Sequence, residues 1–198
     1  MRFTVENLEL KTADSGVFSD FSAVFESPGW FHFKVRENKV GYRLLATLAS
    51  FYRPSSGDII WQEQSIYSQL DQYRSSLRFF TAGAHLFDYF TVRQSLDLYS
   101  HLFNLDGTVD LEIYGELDRN RKLYTLSPEE EIRLKLATFL PGGRQILFFV
   151  DPFQSLEGPE FINIQNCFKK ISHENIIVFT SGSQKIPAAD EVYDIATL

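Results

Sequence analysis

The chain has 198 residues, of which 44% are hydrophobic and 23% are charged, so it is long enough for one globular domain and is neither disordered nor fibrous. Its net charge of −7 argues against nucleic acid as a partner, because general phosphate contact requires clustered Lys and Arg. The single cysteine, Cys167, cannot form an internal disulfide, and we expect a buried thiol in a reducing compartment. No apolar stretch approaches the ~20 residues of a membrane span, and residues 1–5 begin a strand without a signal core.

The first part of the chain is typical of strands followed by a helix. Strand-like apolar patterns occupy residues 2–10, 19–26 and 30–35. Turn residues at 13–16 separate the first two, which predicts an antiparallel hairpin. Helical spacing then follows at Leu44, Leu45, Leu48 and Phe51. Pro54 and Gly57 end that helix.

The rest of the chain alternates between strand and helix patterns. Further strands are predicted at 58–61, 77–80, 145–150 and 175–180. Helices are predicted after Thr91, briefly near 111–117, from Ser127 to about Leu140, and over 157–171. Ser127, Pro128 and Glu130 have the pattern of a capping box at a helix start. This order predicts an α/β fold with a parallel core.

Several segments, in chain order, resemble one known family. They are Phe3–Leu8, Leu44–Ala49 with Arg53–Ile59, Leu86–Arg93, Leu126–Ser127 and Asp151–Glu157. Together they resemble the nucleotide-binding subunit of ATP-binding-cassette (ABC) transporters over essentially the whole chain. The resemblance implies a P-loop NTPase-like ABC ATPase fold with an N-terminal antiparallel β hairpin, a mainly parallel core sheet and a helical subdomain. We expect a single domain, 1–198, with that subdomain inserted at about 83–127.

The segment that aligns with the family's phosphate loop, Walker A, is altered. Glycines in that loop let backbone N–H groups close on phosphates, a Lys neutralises charge, and a hydroxyl holds Mg²⁺. Here the glycine positions carry Val35, Asn38 and Val40, the Lys position carries Gly41, and the hydroxyl positions carry Tyr42 and Arg43. We expect no ordinary nucleotide cradle.

The other positions that the resemblance assigns to catalysis also lack the family's residue types. The Walker B metal-binding Asp aligns with Val150, and the general base aligns with the shorter Asp151, for which we expect a structural role. The Q-loop glutamine aligns with Ala82, the H-loop histidine with Ser181, and the adenine-stacking aromatic with Thr12. These residues provide no set for phosphoryl transfer, so we expect no catalytic, cofactor-binding or metal-binding residues and no cofactor.

The signature motif, which serves the partner's ATP in the family, is altered as well. Leu126-Ser127-Pro128-Glu129-Glu130 keeps the serine but places carboxylates where a γ-phosphate would lie, and like charges repel. Helix capping accounts for Ser127 and Glu130 without a nucleotide. The histidines lack ligand-like spacing, so no metal set can be assembled from them and Cys167.

Two surfaces remain as candidate binding sites. Phe87, Tyr89 and Phe90 lie in the segment that, by resemblance, receives a coupling helix of the membrane subunit, although these aromatics could instead fill the local core. Arg36, Lys39 and Arg43, near a helix N-terminus, form a candidate weak anion site, with solvated surface charge as the alternative.

We therefore expect a catalytically inactive cassette-like subunit, a pseudo-ATPase, that acts as a structural or regulatory partner. Its partners would be an ABC transmembrane subunit, an active ATPase subunit, or both, and it would be cytoplasmic, at the inner face of the membrane through a partner. The alternatives are a divergent ATPase that binds nucleotide weakly, and a scaffold outside transport. The transported substrate, the direction of transport and the choice between homodimer and heterodimer do not follow from the sequence.

Overall fold

The computed structural model describes residues 1–11, 16–81, 87–102, 117–139, 146–154, 156–182 and 189–195. The chain divides into two compact units. The first comprises residues 1–82, 144–154 and 171–198, and the second comprises 83–143 and 155–170. The predicted subdomain at 83–127 lies within the second unit.

An antiparallel sheet lies in the first unit. Its strands are β1 (Arg2–Lys11), β2 (Gly16–Glu26), β4 (Ser56–Trp61) and β5 (Gln64–Ser65). The strand order is β2-β1-β4-β5, and every neighbouring pair is antiparallel. The predicted opening hairpin is confirmed, since β1 pairs with β2 and Phe3 lies opposite Phe25.

A parallel sheet, also in the first unit, forms the core that the sequence predicts. Its strands are β3 (Gly29–Lys34), β6 (Leu77–Thr81), β7 (Ile146–Val150), β8 (Ile176–Ser181) and β9 (Glu191–Asp194). Their order is β6-β7-β8-β3-β9 and all described pairs are parallel. Every residue of β7 and β8 is buried, as expected for central parallel strands that are covered on both faces.

The helices follow the predicted order with one addition and one shifted start. They are α1 (Asn38–Leu48), α2 (Leu70–Ser75), α3 (Val92–Leu102), α4 (Pro128–Phe139) and α5 (Gly158–Ser172). Helix α1 begins at Asn38, inside the segment that aligns with the phosphate loop. The helical stretch predicted near 111–117 falls almost entirely outside the described residues. No helix in the described ranges is long and apolar enough to cross a membrane.

Aromatic side chains join the two sheets of the first unit. The ring centroid of Phe3 on β1 lies 5.5 Å from that of Phe25 on β2 and 6.2 Å from that of Phe148 on β7. Tyr73 of α2 stacks on the same ring and donates its hydroxyl hydrogen to the carbonyl oxygen of Leu48 at 2.6 Å. This cluster, whose rings each bury a large apolar area, anchors α1 and α2 on the sheets.

The turn before β4 depends on a glycine. Gly57 has φ +86°, and a Cβ there would lie 2.4 Å from the carbonyl oxygen of Asn7. Both the left-handed backbone and the close approach of β1 exclude a side chain. The Pro-Ser-Ser-Gly turn seen in the sequence therefore positions β4 beside β1.

In the second unit, α4 begins with the predicted capping box. The backbone N–H of Glu130 donates to Ser127 Oγ at 3.2 Å, and the backbone N–H of Ser127 donates to Glu130 Oε2 at 2.8 Å. The two bonds satisfy donors that the first turn of a helix leaves free.

Candidate functional site

The candidate site lies at the carboxyl ends of β3, β7 and β8, where open parallel sheets bind ligands. The register brings these ends level, because Lys34 lies opposite Ser181 and Val150 lies opposite Thr180. Two backbone bonds extend the pairing past the strand ends. The N–H of Val35 donates to the carbonyl oxygen of Ser181 at 3.1 Å, and that of Asp151 donates to the carbonyl oxygen of Thr180 at 3.0 Å.

Helix α1 begins with hydrogen bonds that an open phosphate loop would leave unmade. Glu37 is its N-cap, with an extended backbone and no capping bond from its side chain. The backbone N–H groups of Val40 and Gly41 both donate to the Glu37 carbonyl oxygen, at 3.0 and 3.2 Å. A phosphate loop instead aims successive N–H groups at the anion. Residues 38–41 here form the first turn of a helix.

Gly41 brings α1 into direct contact with β8. A Cβ at this position would lie 2.9 Å from both Cβ and Oγ1 of Thr180, closer than Cβ atoms approach in proteins. Gly41 is buried, and it occupies the position that the family resemblance assigns to the phosphate-binding Lys. A side chain at this position would therefore require α1 or Thr180 to shift.

Asn38 connects the start of α1 to the strand ends. Its side-chain amide hydrogen-bonds the carboxyl group of Asp151, which also accepts the backbone N–H of Gly182. The Oδ1 atom of Asn38 lies so close to Gly182 that a Cβ there would be 2.8 Å away. Asn38, Asp151 and Gly182 thus form a contact cluster that we call the strand-end latch.

Asp151 is an unusual residue in that latch. It is 4% exposed and has φ +45°, a left-handed backbone that non-glycine residues seldom adopt. Its Oδ1 atom is buried and has no hydrogen-bond partner among the described residues. Burial raises the pKa of the Asp151 carboxyl group, while the hydrogen bonds from Asn38 and from the Gly182 N–H act in the opposite direction.

Of the remaining positions that the family resemblance assigns to catalysis, two are buried and two lie outside the described residues. Val150 is buried in the apolar core, and Ser181 is buried at the end of β8. Ala82 and Thr12 lie outside the described residues. Groups of three or more His, Cys, Asp or Glu that could hold a metal are absent from the part of the chain that the structure describes.

The three basic residues of the candidate anion site occupy different surroundings. The guanidinium of Arg43 lies 3.8 Å from the ring centroid of Tyr52, whereas Arg36 and Lys39 are exposed at the start of α1. Within the described residues no contact joins the three. The anion site remains a prediction.

In the segment that aligns with the signature motif, the polar side chains make hydrogen bonds and ion pairs with other residues of the second unit. The hydroxyl oxygen of Ser127 accepts the N–H of Glu130 in the capping box. Glu129 pairs with Arg133 and accepts a hydrogen bond from Asn163 at 3.1 Å. Both carboxylates therefore have roles within the second unit.

The candidate partner residues lie on a short ribbon of the second unit. Phe87 and Tyr89 are 61% and 83% exposed, while Phe90 is half-buried and stacks on Phe87 at 5.0 Å. Residues 87–93 pair with 119–125 through backbone bonds, such as that from the Leu123 N–H to the Phe90 carbonyl oxygen. This aromatic ribbon keeps two large rings in solvent.

Sequence reasoning missed several residues that define these sites. The family resemblance assigns Asn38 to a glycine position of the phosphate loop, and no sequence pattern distinguishes Thr180 or Gly182. Tyr124, 66% exposed, lies 6.5 Å from Tyr89 on the aromatic ribbon and was also missed. Of these residues only Tyr124 has a signal in the sequence, because it follows the polar, basic segment 119–122 just before the predicted cap.

Comparisons with known proteins agree with the fold. No protein-family model matches the sequence. The chain is 20% identical over 194 residues to the cytochrome c biogenesis ATP-binding export protein CcmA of Haemophilus influenzae, covering 95% of this chain and 92% of that protein. Its structure is similar to that of a putative ABC transporter ATP-binding protein from Pyrococcus furiosus, with a TM-score of 0.81, 17% identity and 98% of each chain covered. The fold is that of the ABC ATPases.

Proposed function

We propose that this chain is a distant member of the ABC ATPase family and a subunit that neither binds nor hydrolyses ATP. It contributes shape and contact surfaces to an assembly with a transmembrane subunit, an active ATPase subunit, or both. Through that assembly it resides at the cytoplasmic face of a membrane. The fold supplies a framework, whereas ATP chemistry requires particular groups at the ends of its strands.

The observation that carries the proposal is the contact of Gly41 with Thr180. A working phosphate site needs space for the β-phosphate and a cation in front of the strand ends. In this chain α1 lies against β8 at that point, and a Cβ alone would come within 2.9 Å of Thr180. The N–H groups of Val40 and Gly41 are already donated to Glu37, so they are not available to phosphate oxygens.

The strand-end latch supports the same proposal. Asn38 bonds Asp151 directly, so the carboxylate that aligns with the general base faces an amide of its own chain. General-base catalysis requires a carboxylate within hydrogen-bond reach of a water that also faces the γ-phosphate. A buried carboxyl whose pKa is raised, with a valine at the preceding position, suits a structural role better.

The start of α4 gives a further reason to place ATP elsewhere in the assembly. In a family dimer the signature serine would have to bond the partner's γ-phosphate. Here Ser127 is engaged in a capping box, and the first turn carries Glu129, Glu130 and Glu131. Each of these carboxylates is paired with a cation of its own chain, so Ser127 and the turn that follows it are already engaged internally.

The aromatic ribbon supports a role in assembly. Phe87 and Tyr89 keep more than half of their surface in water, which is costly for a monomer and typical of residues that are buried by a partner. The H. influenzae relative is described as an export protein, and a subunit of a membrane assembly is consistent with that description. We propose that the ribbon binds a segment of the transmembrane partner.

A steady-state assay of phosphate release tests the proposal. The purified chain with MgATP should release no more phosphate than the variant Asp151→Asn, since Asp151 has no catalytic duty to lose. Activity that is present in the wild type and absent from Asp151→Asn would support a divergent ATPase instead. Equal activity in both would identify a contaminating enzyme.

A further inference from the structure

We infer that the outer face of the antiparallel sheet binds a basic amphipathic helix of a partner protein. This face lies in the first unit, on the side of β1, β2 and β4 that points away from the core. We call it the outer sheet face, and its residues are Arg2, Thr4 and Glu6 of β1, Val24 and Glu26 of β2, Asp58 and Ile60 of β4, and Gln62 and Glu63 of the turn after β4. The inference is independent of whether the chain binds ATP.

The alternation of side chains along β1 creates the outer sheet face. Phe3 and Val5 are buried in the core, whereas Arg2 and Glu6 are exposed and Thr4 is partly exposed. Successive side chains of a strand point to opposite faces of its sheet, so residues 2, 4 and 6 share the outer one. Side chains that lie directly opposite them on β2 and β4 share that face as well.

An apolar row crosses the middle of the outer sheet face. Thr4 lies opposite Val24 on one neighbouring strand and opposite Ile60 on the other. Val24 is 37% exposed, and Ile60 is partly exposed. Neighbouring strands lie about 4.8 Å apart, so the row from Val24 to Ile60 is about 10 Å long.

Carboxylates lie on both sides of the apolar row. On one side Arg2 lies opposite Glu26, and their side chains approach to 3.8 Å. On the other side Glu6 lies opposite Asp58. The ion pairs of the described residues include neither Glu6 nor Glu63. The outer sheet face therefore has more carboxylates than cations, and two of the carboxylates lack a counter-charge in the part of the chain that the structure describes.

A cleft in this face provides space for a bound side chain. It has a volume of about 560 Å³ and is lined by Arg2, Thr4, Glu6, Ile60, Gln62 and Glu63. Trp61 pairs with Gln64, so Gln62 and Glu63 form a two-residue turn, and both have positive φ, 51° and 64°. Such a turn matches the twist of its strands and holds its residues in one conformation. The cleft thus combines an apolar floor with charged groups at fixed positions.

Charge selects a basic occupant. The carboxylates of Glu6 and Glu63 attract Lys and Arg, and the net charge of −7 acts in the same direction at longer range. The same charges repel phosphate groups, which disfavours anionic lipid and nucleic acid. The apolar row requires apolar side chains in addition, and a protein segment has these whereas a polyamine does not.

The dimensions of the row fit a helix. Residues i, i+4 and i+7 of an α-helix lie on one face and span about 10 Å, the length of the row from Val24 to Ile60. A helix that crosses the strands there would place its apolar side chains on the row. Lys and Arg beside them can extend over apolar surface to the carboxylates on either side, about 6.6 Å along the strands.

Site-specific photo-cross-linking in the native cell tests the inference. The full chain carries p-benzoylphenylalanine in place of Val24, and a matched chain carries it in place of Val192. Both are exposed strand valines, at 37% and 49%, and Val192 lies on β9 of the parallel sheet. We expect position 24 to cross-link a protein through a segment with apolar residues at i, i+4 and i+7 flanked by Lys or Arg, and position 192 to give no such product.

Titration of the cross-linked segment, as a labelled synthetic peptide, then quantifies the contact. Fluorescence anisotropy should show saturable binding that weakens as salt is added, because exposed charges are screened. Glu6→Lys and Glu63→Lys should each weaken binding about fivefold or more, since an attraction becomes a repulsion. Ile60→Thr keeps a β-branched residue but removes apolar surface, and it should weaken binding as well.

A matched control separates local charge from net charge. Asp97→Lys makes the same change of charge at an exposed position of α3 in the second unit, and it should leave the affinity within about twofold of the wild type. All these variants should melt within a few degrees of the wild type, because the substituted residues are exposed or partly exposed.

Several outcomes would overturn the inference. The absence of a product at position 24 would contradict it, as would a product there that contains lipid, nucleic acid, a second copy of this chain or an acidic peptide. Unchanged affinity in whichever of the Glu6→Lys and Glu63→Lys variants is stably folded would show that these carboxylates do not contact the segment. Equal weakening by Asp97→Lys would assign the effect to net charge and reject the outer sheet face as the binding site.

Discussion

At the scale of single residues, His32 is a buried imidazole whose ring nitrogens have no polar partner in the part of the chain that the structure describes. It is fully buried in β3, its ring stacks on Phe179 with centroids 4.6 Å apart, and neither ring nitrogen has a hydrogen-bond partner among the described residues. Burial first, and then the positive charge of Lys34, lower the pKa of His32 to about 4, while Asp194 acts in the opposite direction. The neutral imidazole is therefore the form compatible with the fold.

This pKa predicts acid sensitivity. Because the folded pKa lies below the unfolded value of ~6.5, protonation favours the unfolded chain, and stability falls as the pH drops from ~6.5 towards 4. We expect about 2–3 kcal/mol of this contribution to be lost by pH 4.5, as measured by urea unfolding. His32→Phe keeps the stacked ring and removes the titration, so its profile over this interval should be flatter. Parallel profiles for the two proteins would show that His32 is not responsible.

Asp151 predicts the opposite dependence. Its folded pKa is raised, so the carboxyl group contributes stability below the unfolded pKa of ~3.9, and this contribution is lost as the pH rises through the folded value. At neutral pH the buried charge is a cost. Asp151→Asn keeps an oxygen for Asn38 and Gly182 and should be at least as stable as the wild type at pH 7, with biological activity retained. A loss well above ~1 kcal/mol in thermal or urea unfolding would mean that the ionised carboxylate is needed.

At the scale of elements, the packing of α1 on β8 predicts whether a substitution at Gly41 raises or lowers the stability of the fold. In a helix interior Gly→Ala stabilises by about 1 kcal/mol through propensity alone. At Gly41 the added Cβ would meet Thr180 at 2.9 Å, so Gly41→Ala should instead lower the melting temperature. Gly41→Lys, which matches the family's phosphate loop, should be more destabilised and should not acquire ATP binding. A melting temperature that rises in Gly41→Ala would contradict the packing.

The aromatic ribbon predicts a loss of binding without a loss of fold. Phe87→Ala combined with Tyr89→Ala removes two exposed rings, so thermal stability should stay near that of the wild type. Co-purification with a membrane or ATPase partner should weaken, since buried aromatic anchors at interfaces typically contribute about 2 kcal/mol or more each. Phe90→Ala, at the half-buried position, should by contrast reduce stability. Unchanged partner recovery in a stable double variant would remove the ribbon as the working surface.

Elements with strong local patterns were predictable from the sequence. β7 and β8 are continuous apolar runs, and the cap of α4 is set by Ser127 and Glu130 alone. The short α2, the two-residue β5 and the exposed β9 carry little periodicity and were not predicted.

The site was only partly predictable, because its geometry depends on contacts distant in sequence. The residue types at the strand ends were evident in the sequence. The helical turn at residues 38–41 depends on Gly41 meeting Thr180, and the latch depends on Asn38 meeting Asp151. The spacing of residues along the sequence predicts neither contact, because the partners lie more than 100 positions apart.

At the scale of the whole molecule, the fold is maintained by apolar packing. The chain aligns with nearly all of its relatives' lengths at 20% identity or less, with a TM-score of 0.81 for the solved structure. Phe3, Phe25 and Phe148 join the two sheets of the first unit through apolar contacts. A fold supports a function only through its sites, and the strand ends of this chain are occupied by its own residues.

The most direct test of this account is calorimetric titration of the purified chain with ATP and Mg²⁺. Because the N–H groups of Val40 and Gly41 are donated to Glu37 and Asn38 engages Asp151, we predict no saturable heat of binding at micromolar or tens of micromolar nucleotide. A magnesium-dependent isotherm that saturates with a Kd near ~10 μM, equivalent to about 7 kcal/mol, would contradict the account.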